Sequence, residues 1–546
     1  LYNDIELAEL GLTPDSVMSS RREIDLARIP LWSRLRVSLS AWTAHHSTSM
    51  AMLGPVLVFA TLLHGWNMFH SPGPNDDEGT YVSQAWSVQT FGELSHYTYW
   101  YDHPPLGWLL LMVWNTIFLV IPRNASLLYA GREAMLLVHV VTCVLLFVLA
   151  RRIGLPRWAG IVAVVLFTVS PLGMQWTRLI LLDNIATPLL LASWALALSP
   201  RRRLVAFAGS GLLLAAAVMV KETSAIFALP IAAQLWFTSR GHTRRFALTL
   251  FTGTVIGLCG LYPLYALLNN EFFPGDGHVS LLWALDWQLF SRPGSGTPLD
   301  PSSGAHLAIK QWLDRDGLLL VGALALGPLA WRYRAIRPLL VAYLLLIAMP
   351  FRGGYLPAPY PINLLWLAPL LAAAGLHVAS RALHGRLPAR PTFLRPAGAA
   401  VLLCLVLATA THALVKDVPY LTADEDRNYR AAQEWLIGHT SHSDVLLVDN
   451  TAWINLVQAG YSRENVIWFY KLDLDPEVLQ QHPGGWRDID YVISSSIIGV
   501  TRKDLPLTSA AIDHGTPVAE FGDIQILRVS RDGSSGANQL QGTGRK

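Results

Sequence analysis

The chain reads as a mainly α, polytopic membrane protein of about eleven transmembrane helices, with a C-terminal α/β domain outside the membrane. Three observations carry that reading. Of the 546 residues 52% are hydrophobic and 14% charged, with a mean hydropathy of +0.36, whereas a soluble domain averages about 25% charged. Apolar runs long enough to span recur as far as Lys416. Beyond it, short β-rich runs alternate with helical ones.

The first 45 residues form a polar leader holding Arg21, Arg22, Arg28, Arg34 and Arg36, which keeps it cytoplasmic. Its stretch from Ile29 to Trp42 suits either an amphipathic surface helix or a disordered tail, and no cleavable signal peptide is evident. Residues 46–416 form the transmembrane domain, with spans near 50–69, 133–150, 158–174, 185–200, 204–221 and 223–239, then 246–268, 317–331, 336–351, 362–380 and 396–416. The run at 106–121 reaches about 24 Å at about 1.5 Å per residue, short of a hydrocarbon core of about 30 Å. Read as an interfacial or re-entrant helix, it leaves the loops holding Arg151, Arg201, Arg240, Arg332 and Arg381 on the N-terminal side. That agrees with the positive-inside rule, with Arg123 and Arg132 as the exceptions. The loops 70–132 and 269–316 and the domain 417–530 then lie outside the cytoplasm.

The loop 269–316 is rich in Gly and Pro and suits a cap or lid. The domain 417–530 has strand-like runs at Val445–Val448, Val466–Tyr470, Tyr491–Ser495 and Ile524–Val529, none followed by a Gly-rich phosphate fingerprint. Residues 531–546 have the composition of a disordered tail. Cys143, Cys259 and Cys404 each sit in an apolar run and read as small hydrophobes. A net charge of +3 gives no support for a nucleic-acid partner. Asn124-Ala125-Ser126 fits a glycosylation acceptor, on a three-residue match alone.

Ionisable residues concentrate at the outer ends of the spans. Asp76, Asp77 and Glu78 follow span one, in a stretch (70–105) free of Lys and Arg. Asp102 and His103 precede the interfacial helix; Arg178 and Asp183 share one outer turn, Lys221 and Glu222 the next, and Tyr355 and Tyr360 another. Acids next to hydrocarbon are costly, so their retention points to function. The set suits a reaction between a membrane-held phosphate ester and a hydroxyl. Carboxylates take or orient the hydroxyl proton, while Lys221, Arg178 and His103 stabilise a departing phosphate. Each group also has a structural alternative. Asp77 and Glu78 suit a helix cap, His103-Pro104-Pro105 a rigid helix entry, Arg178 and Asp183 an ion pair, and Lys221 a snorkelling cation. The Tyr and Trp residues at 97–101 suit an interfacial aromatic belt.

Three motifs resemble those of GT-C class membrane glycosyltransferases, in the branch of protein O-mannosyltransferases and the aminoarabinose transferase of lipid A. They are Asp77-Glu78 with Tyr81, His103-Pro104-Pro105-Leu106-Gly107, and Arg178-Leu179-Ile180-Leu181-Leu182-Asp183. The resemblance implies a polyprenyl-phosphate sugar as donor, an extracytoplasmic hydroxyl acceptor and inversion at the anomeric carbon. It implies Asp77 as base or acceptor-orienting group, Glu78 as its neighbour, and His103, Arg178 and Lys221 on the donor phosphate. Tyr81, Asp102, Asp183, Tyr355 and Tyr360 are supporting residues. His103, where aminoarabinose enzymes carry Lys, favours mannose. No obligatory metal or other cofactor is expected, although Asp77 and Glu78 leave room for a divalent ion. A lipid-linked sugar flippase and a membrane-anchored glycan-binding protein are the alternatives.

Overall fold

A computed structural model describes residues 31–120, 126–200, 203–385 and 394–531. Most of the leader, Asn124 and Ala125 of the Asn124-Ala125-Ser126 triplet, and the tail after Arg531 lie outside those residues. The chain divides into two compact units after Pro55, and the described part of the first is the start of helix α1 (Leu31–Gly65). The second unit, Val56–Lys546, carries the site.

Each expected apolar run is helical, as a chain in lipid must be to satisfy its own peptide groups. After α1 come α2 (Asp76–Phe91), α3 (Leu106–Val120), α4 (Leu127–Ile153), α5 (Arg157–Thr168), α6 (Leu182–Ala197) and α7 (Leu204–Val220). They continue as α8 (Ala228–Thr238), α9 (Thr243–Cys259), α10 (Gly304–Leu326), α11 (Arg337–Ala348), α12 (Leu367–Gly385) and α13 (Leu394–Thr422). Among the described residues, four stretches are long and apolar enough to cross a membrane: His46–Gly65, Leu127–Ile153, Thr243–Leu268 and Ile362–Ala382. Several of the others are short; α7 has 17 residues, a reach of about 26 Å. They are packed together by buried aromatics such as Trp194, Phe227 and Trp366, whose ring centroids lie 5.6 to 6.3 Å apart.

Two devices place the turns that carry the site. Asp316 breaks the helical φ/ψ of α10, and its Oδ2 accepts hydrogen bonds of 2.7 Å from Ser170 Oγ and Leu172 N–H. This holds the one-and-a-half-turn helix Pro171–Trp176 that leads into Arg178. Gly107 lets α3 lie against α6, since a Cβ there would fall 2.4 Å from Leu182 Cδ2.

The C-terminal domain opens with α14 (Arg427–His439), followed by β1 (Leu446–Val448), α15 (Asn450–Gln458), β2 (Val466–Trp468), β3 (Tyr491–Ser494), α16 (Pro506–Asp513), β4 (Gly515–Phe521) and β5 (Ile524–Val529). The five strands form one sheet in the order β2-β1-β3-β5-β4. β1 runs parallel to β2 and β3, while β5 is antiparallel to β3 and β4. All residues of β1 and β2 are buried, as expected of parallel strands covered on both faces. The strand-like segments expected after Lys416 therefore join one small mixed sheet.

This part of the chain sits on the loop between α2 and α3. Tyr97 Oη donates to Val466 O and accepts from Trp468 N–H, both at 3.0 Å. Buried Lys471 pairs with Asp475 at 2.9 Å and lies 3.9 Å from the Trp100 ring centre. Tyr99 and Tyr101 pack on Tyr262 and Tyr265. The aromatic run 97–101 thus joins the strand region to the segment holding Tyr262 and Tyr265.

Candidate active site

The site is built outward from the first turn of α2. Asn75 is its N-cap, accepting from Asp77 N–H at 3.0 Å, and Glu78 returns a capping-box bond to Asn75 N–H at 3.1 Å. Three acids in that turn complement the helix dipole. Successive residues point about 100° apart around a helix, so the three carboxylates face different surroundings.

Glu78 faces inward and is fully buried. Its oxygens accept from Arg132 Nε at 3.0 Å, Arg132 Nη2 at 2.8 Å and Ile180 N–H at 3.0 Å. Arg132 also holds the carbonyls of Met68 and Pro72, each at 2.9 Å. Glu78, expected beside Asp77 in the acceptor site, is instead saturated by the protein, and its cap alternative holds. Arg132, which counts against the topology by charge alone, is the other half of this buried pair.

Asp76 faces the C-terminal domain and accepts from Asn450 N–H at 3.0 Å. Burial, and then the nearby Asp449 carboxylate, push its pKa up to about 8. Gly79 makes the approach between α2 and α15 feasible, because a Cβ on it would lie 2.2 Å from the Asn450 carbonyl carbon. Asn450 Nδ2 donates to Thr80 Oγ1 at 2.7 Å and Thr451 Oγ1 to Asn75 O at 3.1 Å.

Asp77 is different. Half-buried, its carboxylate accepts no hydrogen bond from the described residues, and it lies within electrostatic reach of Tyr81 and Lys221. Around the same point stand Asp102, Asp183 and Glu222. Lys221 Nζ lies 2.9 Å from His103 Nε2, and His103 Nδ1 lies 3.0 Å from Glu222 Oε2. Lys221 is buried, so the snorkelling alternative does not apply. Tyr81 is buried with its ring centre 6.0 Å from that of His103. Asp183 Oδ1 accepts from Asn363 Nδ2 at 3.2 Å.

The backbone beneath His103 is held firmly. Its N–H donates to Asp102 Oδ1 at 3.0 Å, and its carbonyl accepts from Tyr262 Oη at 2.9 Å and Tyr99 Oη at 3.1 Å. Tyr101 adopts φ +52°, a left-handed conformation unusual for a bulky residue, with its hydroxyl donating to Glu271 at 2.6 Å. Such local strain, overdetermined by surrounding bonds, is common where a side chain must be aimed.

The structure thus brings together Asp77, Tyr81, Asp102, His103, Asp183 and Lys221. It does not bring Arg178 to them. Arg178 is buried, and its terminal nitrogens donate to the carbonyls of Leu63 (2.7 Å), Ser71 (3.0 Å), Trp66 (3.0 Å) and Tyr420 (3.2 Å). Arg178 therefore ties the C-terminal ends of α1 and α13 together. Among the described residues no ion pair joins it to Asp183. Tyr355 packs under Arg292, 3.5 Å from ring centre to guanidinium, and Tyr360 donates to Leu346 O at 2.6 Å and stacks on Trp312.

Glu222, which contacts His103, is a member of this cluster that the motifs missed; its one sequence signal is adjacency to Lys221. A cavity of about 740 Å³ opens beside the His103 loop, lined by Tyr99, Pro105, Leu109, Met219, Leu261 and Tyr262 among others. A metal would find ligand atoms close together at His70, Asp424 and Asp426, but the Arg430 guanidinium occupies that position, with Nη1 2.7 Å from His70 Nδ1. Glu78, saturated by Arg132, has no oxygen to share with Asp77 around a divalent ion.

Residues 102–265 match the family model of dolichyl-phosphate-mannose-protein mannosyltransferases, a segment that includes His103, Asp183, Lys221 and Glu222. In structure the chain is similar to ArnT from Cupriavidus metallidurans bound to undecaprenyl phosphate, at 14% identity and a TM-score of 0.56, covering 88% of this chain and 98% of that one. It is also similar to the oligosaccharyltransferase of Archaeoglobus fulgidus in its apo form, at 13% identity and a TM-score of 0.53, covering 90% and 75%. No curated protein matches it in sequence. With these likenesses the motif resemblance is borne out, and the chain carries the fold of the GT-C class of membrane glycosyltransferases.

Proposed function

We propose that the protein transfers a sugar, mannose in preference, from a polyprenyl phosphate to a hydroxyl acceptor outside the cytoplasm. One observation carries this: Asp77, an acid that accepts no hydrogen bond from the described residues, lies within electrostatic reach of Lys221, which contacts His103 at 2.9 Å. Asp77 orients the acceptor hydroxyl and takes its proton as the oxygen attacks the anomeric carbon. The bond from that carbon to the phosphate oxygen breaks on the opposite face, and its electron pair leaves with the lipid phosphate. Lys221 and His103 stabilise that charge, where a desolvated setting strengthens each contact. Attack opposite the leaving group inverts the anomeric centre.

In this reading Glu78 and Arg178 act as positioning residues for the turns that carry Asp77 and Asp183. The lipid tail enters the cavity beside Pro105 and Leu109. The undecaprenyl phosphate held by the similarly folded Cupriavidus protein supports this class of donor. Eleven spans, an inner N-terminus and an outer C-terminal domain follow from the Arg-bearing loops. Transport or glycan binding alone would leave Asp77 without a duty.

The test uses the full chain in lipid with polyprenyl-phosphate sugars, mannose first, and cell-envelope extract as acceptor source. Native protein releases free polyprenyl phosphate, and His103→Ala and Lys221→Ala bind donor more weakly. Donor binding without release would favour transport.

A further inference from the structure

Within the loop 269–316 lies a helix whose surface does not suit water. It runs Leu281–Asp286 and continues in a wider turn, Trp287–Ser291. One side is committed to the protein. Leu281 and Ala284 are buried against Tyr101, Tyr262 and Ala266, and Leu281 N–H donates to Glu271 O at 2.9 Å. The remaining surface is almost wholly apolar. Trp283, Leu285 and Trp287 are exposed, Leu289 is 57% exposed and Phe290 80%. The Trp283 and Trp287 rings stack in parallel, with centres 5.8 Å apart. The one charge on the helix, Asp286, is turned back onto the Ser291 hydroxyl. Single exposed apolar residues are ordinary, but a contiguous patch marks a surface that something covers.

The seat of the helix says what covers it. Tyr262 and Ala266 belong to Thr243–Leu268, which is long and apolar enough to cross a membrane and has only 11% of its apolar window buried by the protein. An element packed on the last two turns of such a span lies at the level where the span leaves the hydrocarbon. The apolar surface is continuous from one to the other. Leu264 and Leu267 are exposed on the span, Leu268 is 75% exposed, and Phe273 is exposed just beyond it. Trp suits that level because its ring is apolar and its N–H polar. Residues 269–291 hold Glu271, Asp276 and Asp286 but no Lys or Arg, so attraction to anionic headgroups has no part in the contact.

We propose that the helix at 281–291 lies in the interfacial layer of the bilayer, with Leu289 and Phe290 among the acyl chains and Trp283 and Trp287 at the headgroup boundary. The proposal stands apart from the sugar-transfer reading. It also has a consequence for the site. The helix rests on Tyr101 and Tyr262, and Tyr262 Oη donates to the His103 carbonyl at 2.9 Å, so the His103 loop is tied through them to the lipid surface.

The test uses the full chain carrying Cys259→Ser and Cys404→Ser, since Cys143 is buried. A single cysteine is placed by Phe290→Cys, by Leu289→Cys or, in the exposed turn between β4 and β5, by Asp523→Cys. Each protein, shown folded by its melting curve, is labelled with a polarity-sensitive fluorophore and reconstituted in phosphatidylcholine vesicles with or without bromine on the acyl chains. The probes at 289 and 290 should emit at shorter wavelength than the one at 523 and lose intensity in brominated lipid, while the probe at 523 does neither. Replacing part of the lipid with anionic phosphatidylglycerol should leave both signals unchanged. Emission at 289 and 290 like that at 523 overturns the inference. A blue shift without loss to bromine also overturns it and assigns the face to a second copy of the chain or to closure on the protein itself. Quenching that appears only with anionic lipid overturns the apolar contact argued here.

Discussion

Asp77 and Glu78 are chemically near-identical neighbours on α2, and the protein treats them in opposite ways. Glu78 is fully buried and receives four hydrogen bonds, from Arg132 twice, Ile180 and Asn75. Asp77 receives none from the described residues and lies within electrostatic reach of Lys221 and Tyr81. The difference teaches that a paired-acid motif need not be a catalytic dyad. A saturated carboxylate cannot accept a substrate proton without breaking its own bonds, whereas an unpartnered one can. The saturated member fixes the turn from which the other works.

Asp77→Asn tests the catalytic side and has the largest expected effect. Turnover should fall by about 10²- to 10⁴-fold, the usual worth of a positioned general base, while donor affinity stays near native because the proposed mechanism sets Asp77 against the acceptor and not the donor. Lost donor binding would move Asp77 to the phosphate side. Glu78→Gln should show the reverse pattern. It leaves Arg132 buried without its counter-charge, a loss of about 3–5 kcal/mol, read as a lower melting temperature with turnover per folded molecule nearly unchanged. A folded, inactive Glu78→Gln would mean that the two acids do act together.

Gly79→Ala probes the contact between the two domains. Its Cβ would lie 2.2 Å from the Asn450 backbone, so α15 must withdraw, at a cost of about 1–3 kcal/mol. Faster proteolysis after Thr422 would report that withdrawal; native resistance would show that the crossing is looser than it looks. Asp76 has the smallest effect, and its sign follows from its raised pKa. Its stabilising contribution is complete below the ordinary value of 3.8 and is lost as pH rises toward about 8. Asp76→Asn, which can still accept from Asn450 N–H, should flatten the fall of melting temperature over that range, by on the order of 1 kcal/mol at the alkaline end once solvent screening is allowed for. An unchanged slope would place the pH dependence elsewhere.

Much of the fold was legible in the sequence because hydrophobic runs and strand alternation are local signals. Helices stand at each apolar run, and the strand-like segments after Lys416 join one sheet. Asp77, His103 and Lys221 were legible through their place at turns between apolar runs and, for the first two, through their motifs. The rest depends on which turns meet, which no local pattern encodes. Arg178 carries the charge a phosphate needs, but the carbonyls of Leu63, Trp66, Ser71 and Tyr420 converge on it from two distant segments. Arg132 looked like a stray positive charge until Glu78 was placed opposite it. The docking of α15 on α2 left one trace, the glycine directly after Asp77-Glu78.

The most direct test places purified Asp77→Asn in lipid beside the native protein, with polyprenyl-phosphate mannose and envelope extract, and measures donor bound and polyprenyl phosphate released in the same samples. The account predicts equal donor binding, with release by the native protein and almost none by the variant. Equal release by both would contradict it, because the carboxylate that accepts no hydrogen bond from the described residues would then have no part in the chemistry.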